Sequence, residues 1–172
     1  FVMIPRVPLD TLDFTSSTMN LGSKMIVDAT RKQRPDSPAL NRRSAAKHPR
    51  RFQHLRSVDR RIVEVNFVHD SLLIVKVRSH GMQVLKKLVK RKELGDIPIV
   101  AAVSEDVDIR DRENYLWGIF TRFDCERDIV FAEQRMIGIS PIYGGVMGID
   151  ATCKPGYPKP LAMTGAVIKR VD

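Results

Sequence analysis

From Ile62 onward the apolar residues fall into runs of distinct period, and each period predicts an element. Ile62-Val63-Glu64-Val65-Asn66-Phe67-Val68 partly alternates, as a strand with one exposed face does. His69-Asp70-Ser71 reads as a turn, and Leu72-Leu73-Ile74-Val75-Lys76-Val77 is a continuous, β-branched run suited to a central strand. Between His80 and Glu93, Met82, Leu85, Leu88 and Val89 recur at three- and four-residue spacing, with Lys86, Lys87, Lys90, Arg91 and Lys92 filling other positions. That is an amphipathic helix, and Gly95 suits its end. Ile97-Pro98-Ile99-Val100-Ala101-Ala102-Val103 reads as a buried strand whose proline stands at its start, where a missing N–H is tolerable. A second helix is expected from about Asp111, with Leu116, Ile119, Phe120 and Phe123 on one face, and Asp128-Ile129-Val130-Phe131-Ala132 is the last strand. Strands alternating with helices over residues 62–136 predict an α/β fold, a layered sheet with right-handed crossover helices.

The flanks lack these periods. Residues 1–32 open with Phe1-Val2-Met3-Ile4, which Pro5 and Pro8 confine to an edge strand or extended arm; Leu21-Gly22-Ser23-Lys24 reads as irregular. Such an arm cannot make a core alone and must lie against another domain. Residues 33–61 form a Pro-, Ser- and Arg-rich basic linker, and regular periodicity ends after Phe131. Residues 137–172, with Gly138, Gly144, Gly145, Gly148, Gly156 and several prolines, are expected to be an irregular closing tail.

The two flanks share a segment. Met25-Ile26-Val27-Asp28-Ala29-Thr30-Arg31-Lys32 recurs as Met147-Gly148-Ile149-Asp150-Ala151-Thr152-Cys153-Lys154, identical at five of eight positions. The spacing of 122 residues from Asp28 to Asp150 is one domain, far beyond a solenoid repeat. Two related domains in tandem, the first represented by its closing segment, account for it.

Charge changes the picture in one place. Arg31 to Arg61 holds eleven Lys/Arg against Asp36 and Asp59, which accounts for the whole net charge of +9. Arg42, Arg43, Lys47, Arg50 and Arg51 could form an arm for nucleic acid or another polyanion, with Phe52 and His54 as stacking groups. The competing reading, a solvated linker, suits a body without net positive field and makes nucleic acid the less favoured partner. No apolar run approaches the roughly 18–20 residues of a membrane span, and no signal-peptide pattern follows Phe1. Cys125 and Cys153 form no CxxC pair and no metal-ligand spacing, so reduced thiols in a cytoplasmic protein are expected.

Three groups could carry chemistry. Glu105, Asp106 and Asp108 follow a strand end, where open α/β sheets bind ligands, and could hold Mg²⁺ or Mn²⁺. Alternatively Asp108 or Asp111 caps the next helix while its neighbours pair with Arg110 or Arg112. A receiver-like switch at Asp106 would need a lysine partner that the strand pattern does not supply. Trp117, Arg122, Asp124, Arg127 and Asp128 form the second group. Arg122 could grip a phosphate or carboxylate, or fasten Asp124 or Asp128 in an internal network with Trp117 in the core. Asp28 and Asp150, each followed by Ala-Thr, could be acid–base groups, but fit better as buried carboxylates bonded to backbone at a tight turn. The four histidines have no paired spacing, and no Ser-His-Asp set, P-loop or GxGxxG is present.

Taken together, Val103-Ser104-Glu105-Asp106-Val107-Asp108-Ile109-Arg110-Asp111, Tyr115–Asp124 with its Trp117 and Thr121-Arg122, and Glu126-Arg127-Asp128 resemble the C-terminal domain of UbiD-type decarboxylases. Val75–Leu88 with Gly81 resembles the preceding strand and helix, Met147–Lys154 the closing Met-Gly-Ile-Asp-Ala-Thr-x-Lys, and residues 8–14 and 21–25 a second form of that closing segment. The resemblance implies enzymes that use prenylated FMN, with Mn²⁺ and K⁺, to add or remove CO₂ on aromatic or unsaturated acids. It also implies a flavin domain and catalytic Arg and Glu residues upstream, which nothing in this chain matches. No catalytic, cofactor-binding or metal residue is therefore carried over. The expectation is a non-catalytic assembly or lid subunit, or a C-terminal fragment, that meets a catalytic UbiD-type subunit or further copies of itself. Ile137–Gly145 is shorter than the family's loop, and the basic linker has no counterpart there.

Overall fold

The computed structural model describes residues 2–8, 21–26, 52–157 and 165–171. Its body is a five-stranded sheet in the order β3-β4-β5-β7-β6. The strands are β3 (Ile62–Val68), β4 (Leu72–Val77), β5 (Ile99–Val103), β6 (Ile129–Ile137) and β7 (Ser140–Ala151). β4, β5 and β7 run parallel, and β3 and β6 flank them antiparallel. A separate two-stranded ribbon pairs β1 (Val2–Pro8) with β2 (Leu21–Ile26).

The continuous apolar runs follow from burial on both faces of the sheet. In β5, Val100 and Ala102 face one apolar cluster while Ala101 and Val103 face the other. The first cluster is closed by helix α2 (Gly81–Leu88), through Val84, Leu85 and Leu88, and by the short helix α1 (Leu55–Val58), through Leu55. The second is closed by helix α3 (Arg112–Phe120), through Tyr115 and Ile119. Asp111 caps α3, its Oδ1 accepting from the Asn114 N–H at 2.7 Å. Helix α4 (Gly165–Val171) follows the sheet. The α/β layered sheet expected from the periodicity is therefore present.

Four details differ from the sequence reading. Packing of the body begins by Phe52, before Ile62: Phe52 and Leu55 are buried, and Phe52 meets Phe67 edge-on at 5.0 Å. The ribbon strand β2 occupies Leu21–Ile26, although Leu21–Lys24 reads as irregular in the sequence, and its pairing with β1 shifts register between Ile4 and Val7, around the N–H that Pro5 lacks. The supposedly irregular stretch after Phe131 forms a hairpin, and β7 lies inside the sheet between β5 and β6. Its glycines misled because they serve packing: a Cβ on Gly148 would sit 2.8 Å from Val130 Cγ1 and 3.0 Å from Val89 Cγ1. Gly138 turns the hairpin at φ +60°, the first of two turn residues, where a type II′ turn takes glycine. Finally, α3 buries Tyr115, Gly118 and Ile119 rather than Phe120, which is exposed.

Candidate functional site

β4, β5 and β7 end side by side at Val77, Val103 and Ala151, so the segments that follow them converge. Open sheets place ligands at this edge. Cys153, after β7, ties to the turn after β5 by donating its N–H to Ser104 Oγ at 2.7 Å. The charged groups around them form one linked set.

Lys154 stands at its centre. Its Nζ donates to the carbonyls of Asp150 at 2.6 Å, Arg122 at 2.8 Å and Thr152 at 3.1 Å, and lies 3.2 Å from Asp128 Oδ2. Asp128 is buried and also accepts the Asp124 N–H at 2.8 Å and the Arg127 guanidinium through both oxygens. The Asp128 carboxylate holds the Arg127 guanidinium above its usual value, and Arg127 also donates to the Tyr157 hydroxyl at 3.1 Å. Burial pushes the Tyr157 hydroxyl up, against the opposing pull of Arg127. Asp124 Oδ1 accepts from the Glu126 N–H, and its Oδ2 accepts from Ser23 in β2 at 3.1 Å.

Arg122 turns to neither Asp124 nor Asp128. It forms a two-pronged pair with Asp106, 2.9 Å from Nη1 to Oδ1 and 2.7 Å from Nη2 to Oδ2. This pairing holds Asp106 below the usual carboxylate range and raises Arg122. Glu105 points instead to Arg78 at 3.9 Å, and Asp108 Oδ1 accepts the Arg110 N–H. The acidic turn thus diverges, and the described residues contain no group of three His, Cys, Asp or Glu side chains that could hold a metal. Asp150 is a buried carboxylate at a tight turn, accepting from Thr152 N at 3.1 Å and Thr152 Oγ1 at 2.6 Å through Oδ1.

Trp117 is a correction. Expected in the core, it is 73% exposed, and Phe120 one turn later is 58% exposed. Both stand on the side of α3 opposite its buried residues. Phe52 is also corrected, since its burial removes it as a stacking group, and His54 is bonded to Glu93 at 3.0 Å. Asp28 and the basic residues Arg42, Arg43, Lys47, Arg50 and Arg51 lie outside the described residues. Lys154, Tyr157 and Ser23 were not singled out by the sequence reading. Lys154 was signalled by the repeat, which keeps a lysine four residues after Asp in both copies.

The described residues at this edge do not fit a flavin phosphate or a divalent ion. Arg122 commits both terminal nitrogens to Asp106, and Lys154 commits its ammonium to three carbonyls and Asp128. The set is a latch that fastens strand ends together.

The family model of the 3-octaprenyl-4-hydroxybenzoate carboxy-lyase C-terminal domain matches residues 49–151, more than half of the chain. The chain belongs to the UbiD C-terminal-domain family. The match starts before Phe52, in keeping with the burial of that residue. Among solved structures, the chain is similar to the UbiD-class enzyme HmfF from Pelotomaculum thermopropionicum in complex with FMN, at 19% identity and TM-score 0.50, over 69% of this chain and 30% of that one. An evolved dimeric form of HmfF in complex with prFMN matches at 18% identity and TM-score 0.51, over 68% of this chain and 27% of that one. The vanillic acid decarboxylase of Sedimentibacter hydroxybenzoicus matches at 23% identity and TM-score 0.48, over 66% and 27%. At these identities the HmfF structures show the UbiD C-terminal fold, and the chain spans less than a third of their length. Among the described residues no helix is long and apolar enough to cross a membrane.

Proposed function

We propose that this chain is the non-catalytic assembly domain of a UbiD-type carboxy-lyase acting on aromatic or unsaturated carboxylic acids. A flavin-bearing partner subunit carries prenylated FMN with its Mn²⁺ and K⁺, and the complex works in the cytoplasm. The observation that carries the reading is the contrast on one side of the body: polar groups at the strand ends satisfy one another, while Trp117 and Phe120 beside them face outward. Exposed aromatics one helical turn apart suit a buried protein contact, where tryptophan is an enriched anchor. The binding of FMN and prFMN in HmfF supports a flavin-bearing partner.

Purification of the tagged full chain from its source cells tests this by assembly mass and flavin absorbance. The expected result is a complex with a flavin-coloured subunit that decarboxylates, lost on the double substitution Trp117→Ala/Phe120→Ala while circular dichroism is unchanged. A chain that binds flavin and turns over substrate alone overturns the reading, as does one that captures no such subunit.

A further inference from the structure

The β1–β2 ribbon repeats the β6–β7 hairpin in its pairing as well as in its sequence. Aligning Met25 with Met147 sets Ile26 on Gly148, and the partners follow. Val2 pairs with Ile26 and Met3 with Met25, as Val130 pairs with Gly148 and Phe131 with Met147. Val2-Met3-Ile4 thereby falls on Val130-Phe131-Ala132, a correspondence outside the repeated segment itself. Both ladders are antiparallel and shift register just beyond these pairs, with the extra residue on β1 in the ribbon and on β7 in the hairpin. The edges agree too. Met147 donates its N–H to the Pro98 carbonyl ahead of β5, on the side of β7 away from β6. In β2 the Ser23 N–H points away from β1, to Asp124, and an extended strand turns the Met25 N–H the same way.

In the body, β7 has β5 along that edge and helix α2 against Gly148. Among the described residues the ribbon is a sheet of two strands, and Ile26, at the Gly148 place, is 61% exposed. Two strands alone are marginal in water, so the strand and helix that meet a β7 are the cover that β2 calls for. Met25, on the opposite face, packs against this chain's own cluster beneath α3. The Ser23 bond lies two residues before the Met147 place, where pairing with β5 opens, so tether and strand pairing do not compete.

Ile26 also selects the acceptor. A Cβ on Gly148 would stand 2.8 Å from Val130 Cγ1, 3.0 Å from Val89 Cγ1 and 3.4 Å from Leu85 Cβ, so α2 of this chain leaves no room there for isoleucine. Its β5 edge is moreover filled by its own β7. A second copy of this chain is therefore excluded.

We propose that the ribbon donates the last two strands to a second, non-identical domain of this family whose β5 edge is otherwise open. There β2 runs parallel to the β5-type strand from Met25 onward, and an α2-type helix with a residue smaller than valine at the Val89 place covers Ile26. The proposal starts from the repeat and does not rest on the flavin-bearing partner.

Photo-crosslinking of the full chain in its source cells tests it, with p-benzoylphenylalanine placed at Ile26 and the attached peptides sequenced. The expected attachment is the α2-type helix of a different UbiD C-terminal-domain sequence, lost on Met25→Pro, and absent when the label stands at Glu113 on the exposed side of α3. Attachment to residues 81–89 of this chain, to an unrelated sequence, or to nothing overturns the proposal. A second measurement, on the purified chain, checks the selection by size. Gly148→Ile is expected to lower the thermal midpoint by about 5 °C or more, and adding Val89→Ala to recover part of that loss. A Gly148→Ile chain as stable as wild type, or one that Val89→Ala does not help, removes the reason for a non-identical acceptor and overturns the proposal as well. Trp117→Ala/Phe120→Ala should leave the Ile26 attachment intact, so loss of a flavin-bearing subunit and loss of the ribbon's acceptor are read separately.

Discussion

The Ser23 N–H donates to Asp124 Oδ2 at 3.1 Å across 101 residues of sequence, and so fastens the N-terminal ribbon to the turn between α3 and β6. Met25, two residues on, packs against the apolar cluster beneath α3. Asp124 is held from the other side by the Glu126 N–H, so its carboxylate is already aimed when the ribbon arrives.

Asp124→Ala should therefore loosen the ribbon more than the body. Hydrogen exchange at residues 21–26 is expected to rise well above wild type while the amides of β4 and β5 keep their protection. Uniform loss of protection across the sheet would count against a local latch.

Lys154→Met removes the ammonium that bridges three carbonyls and the buried Asp128 carboxylate. Leaving those acceptors without their donor is expected to cost about 2–4 kcal/mol, read from urea unfolding midpoints at constant m. Arginine should not rescue, because its planar fork cannot point at carbonyls on three sides.

Gly81 opens α2, where alanine would ordinarily favour the helix by about 0.5–1 kcal/mol. A Cβ there would stand 2.5 Å from Asp150 Oδ1 and 2.7 Å from Thr152 Cγ2. Gly81→Ala is thus expected to destabilise by roughly 1–3 kcal/mol, opposite in sign to its helix propensity. A thermal midpoint at or above wild type would show that the Asp150 turn yields.

Asp59 joins α1, β3 and α2, accepting from Arg61 at 2.7 and 2.9 Å and from Lys87 at 2.9 Å. The Arg61 bonds, with help from Lys87, hold its carboxyl well below the usual carboxylate range. A depressed carboxyl contributes stability that is complete above its unfolded value near 3.8 and is lost as pH falls toward the folded one. Asp59→Asn should cost about 1–3 kcal/mol at neutral pH, and the gap between variant and wild-type stability should narrow below about pH 4. A gap independent of pH down to 2 would show that the carboxylate's charge is not what matters.

How far the sequence reveals this protein depends on where each partner sits along the chain. β4, β5 and α2 were legible because burial on two faces, or on one helical stripe, writes itself as a local period. The Asp150 turn was legible because the Thr152 donors lie two residues from their acceptor. The Asp106–Arg122 pair was not, since Arg122 had three acids in reach and the choice belongs to the tertiary fold. Trp117 was misplaced because large apolar side chains are assigned to cores by default, while helix position sets it facing outward. β7 was hidden because glycine, which allows Val89 and Val130 to close over Gly148, is also the residue of loops.

The strand order carries a consequence for synthesis. β5 is flanked by β4, which precedes it, and by β7, whose pairing residues Met147–Ala151 come at least 44 residues later than Val103. A nascent chain that has delivered β3, β4 and β5 holds a three-stranded sheet whose newest edge, Ile99–Val103, is bare and wholly apolar. That edge stays open until the β6–β7 hairpin has emerged, and a chain that stops before Val146 never covers it. Emergence of the β6–β7 hairpin, rather than local propensity, is the step that covers this edge against aggregation.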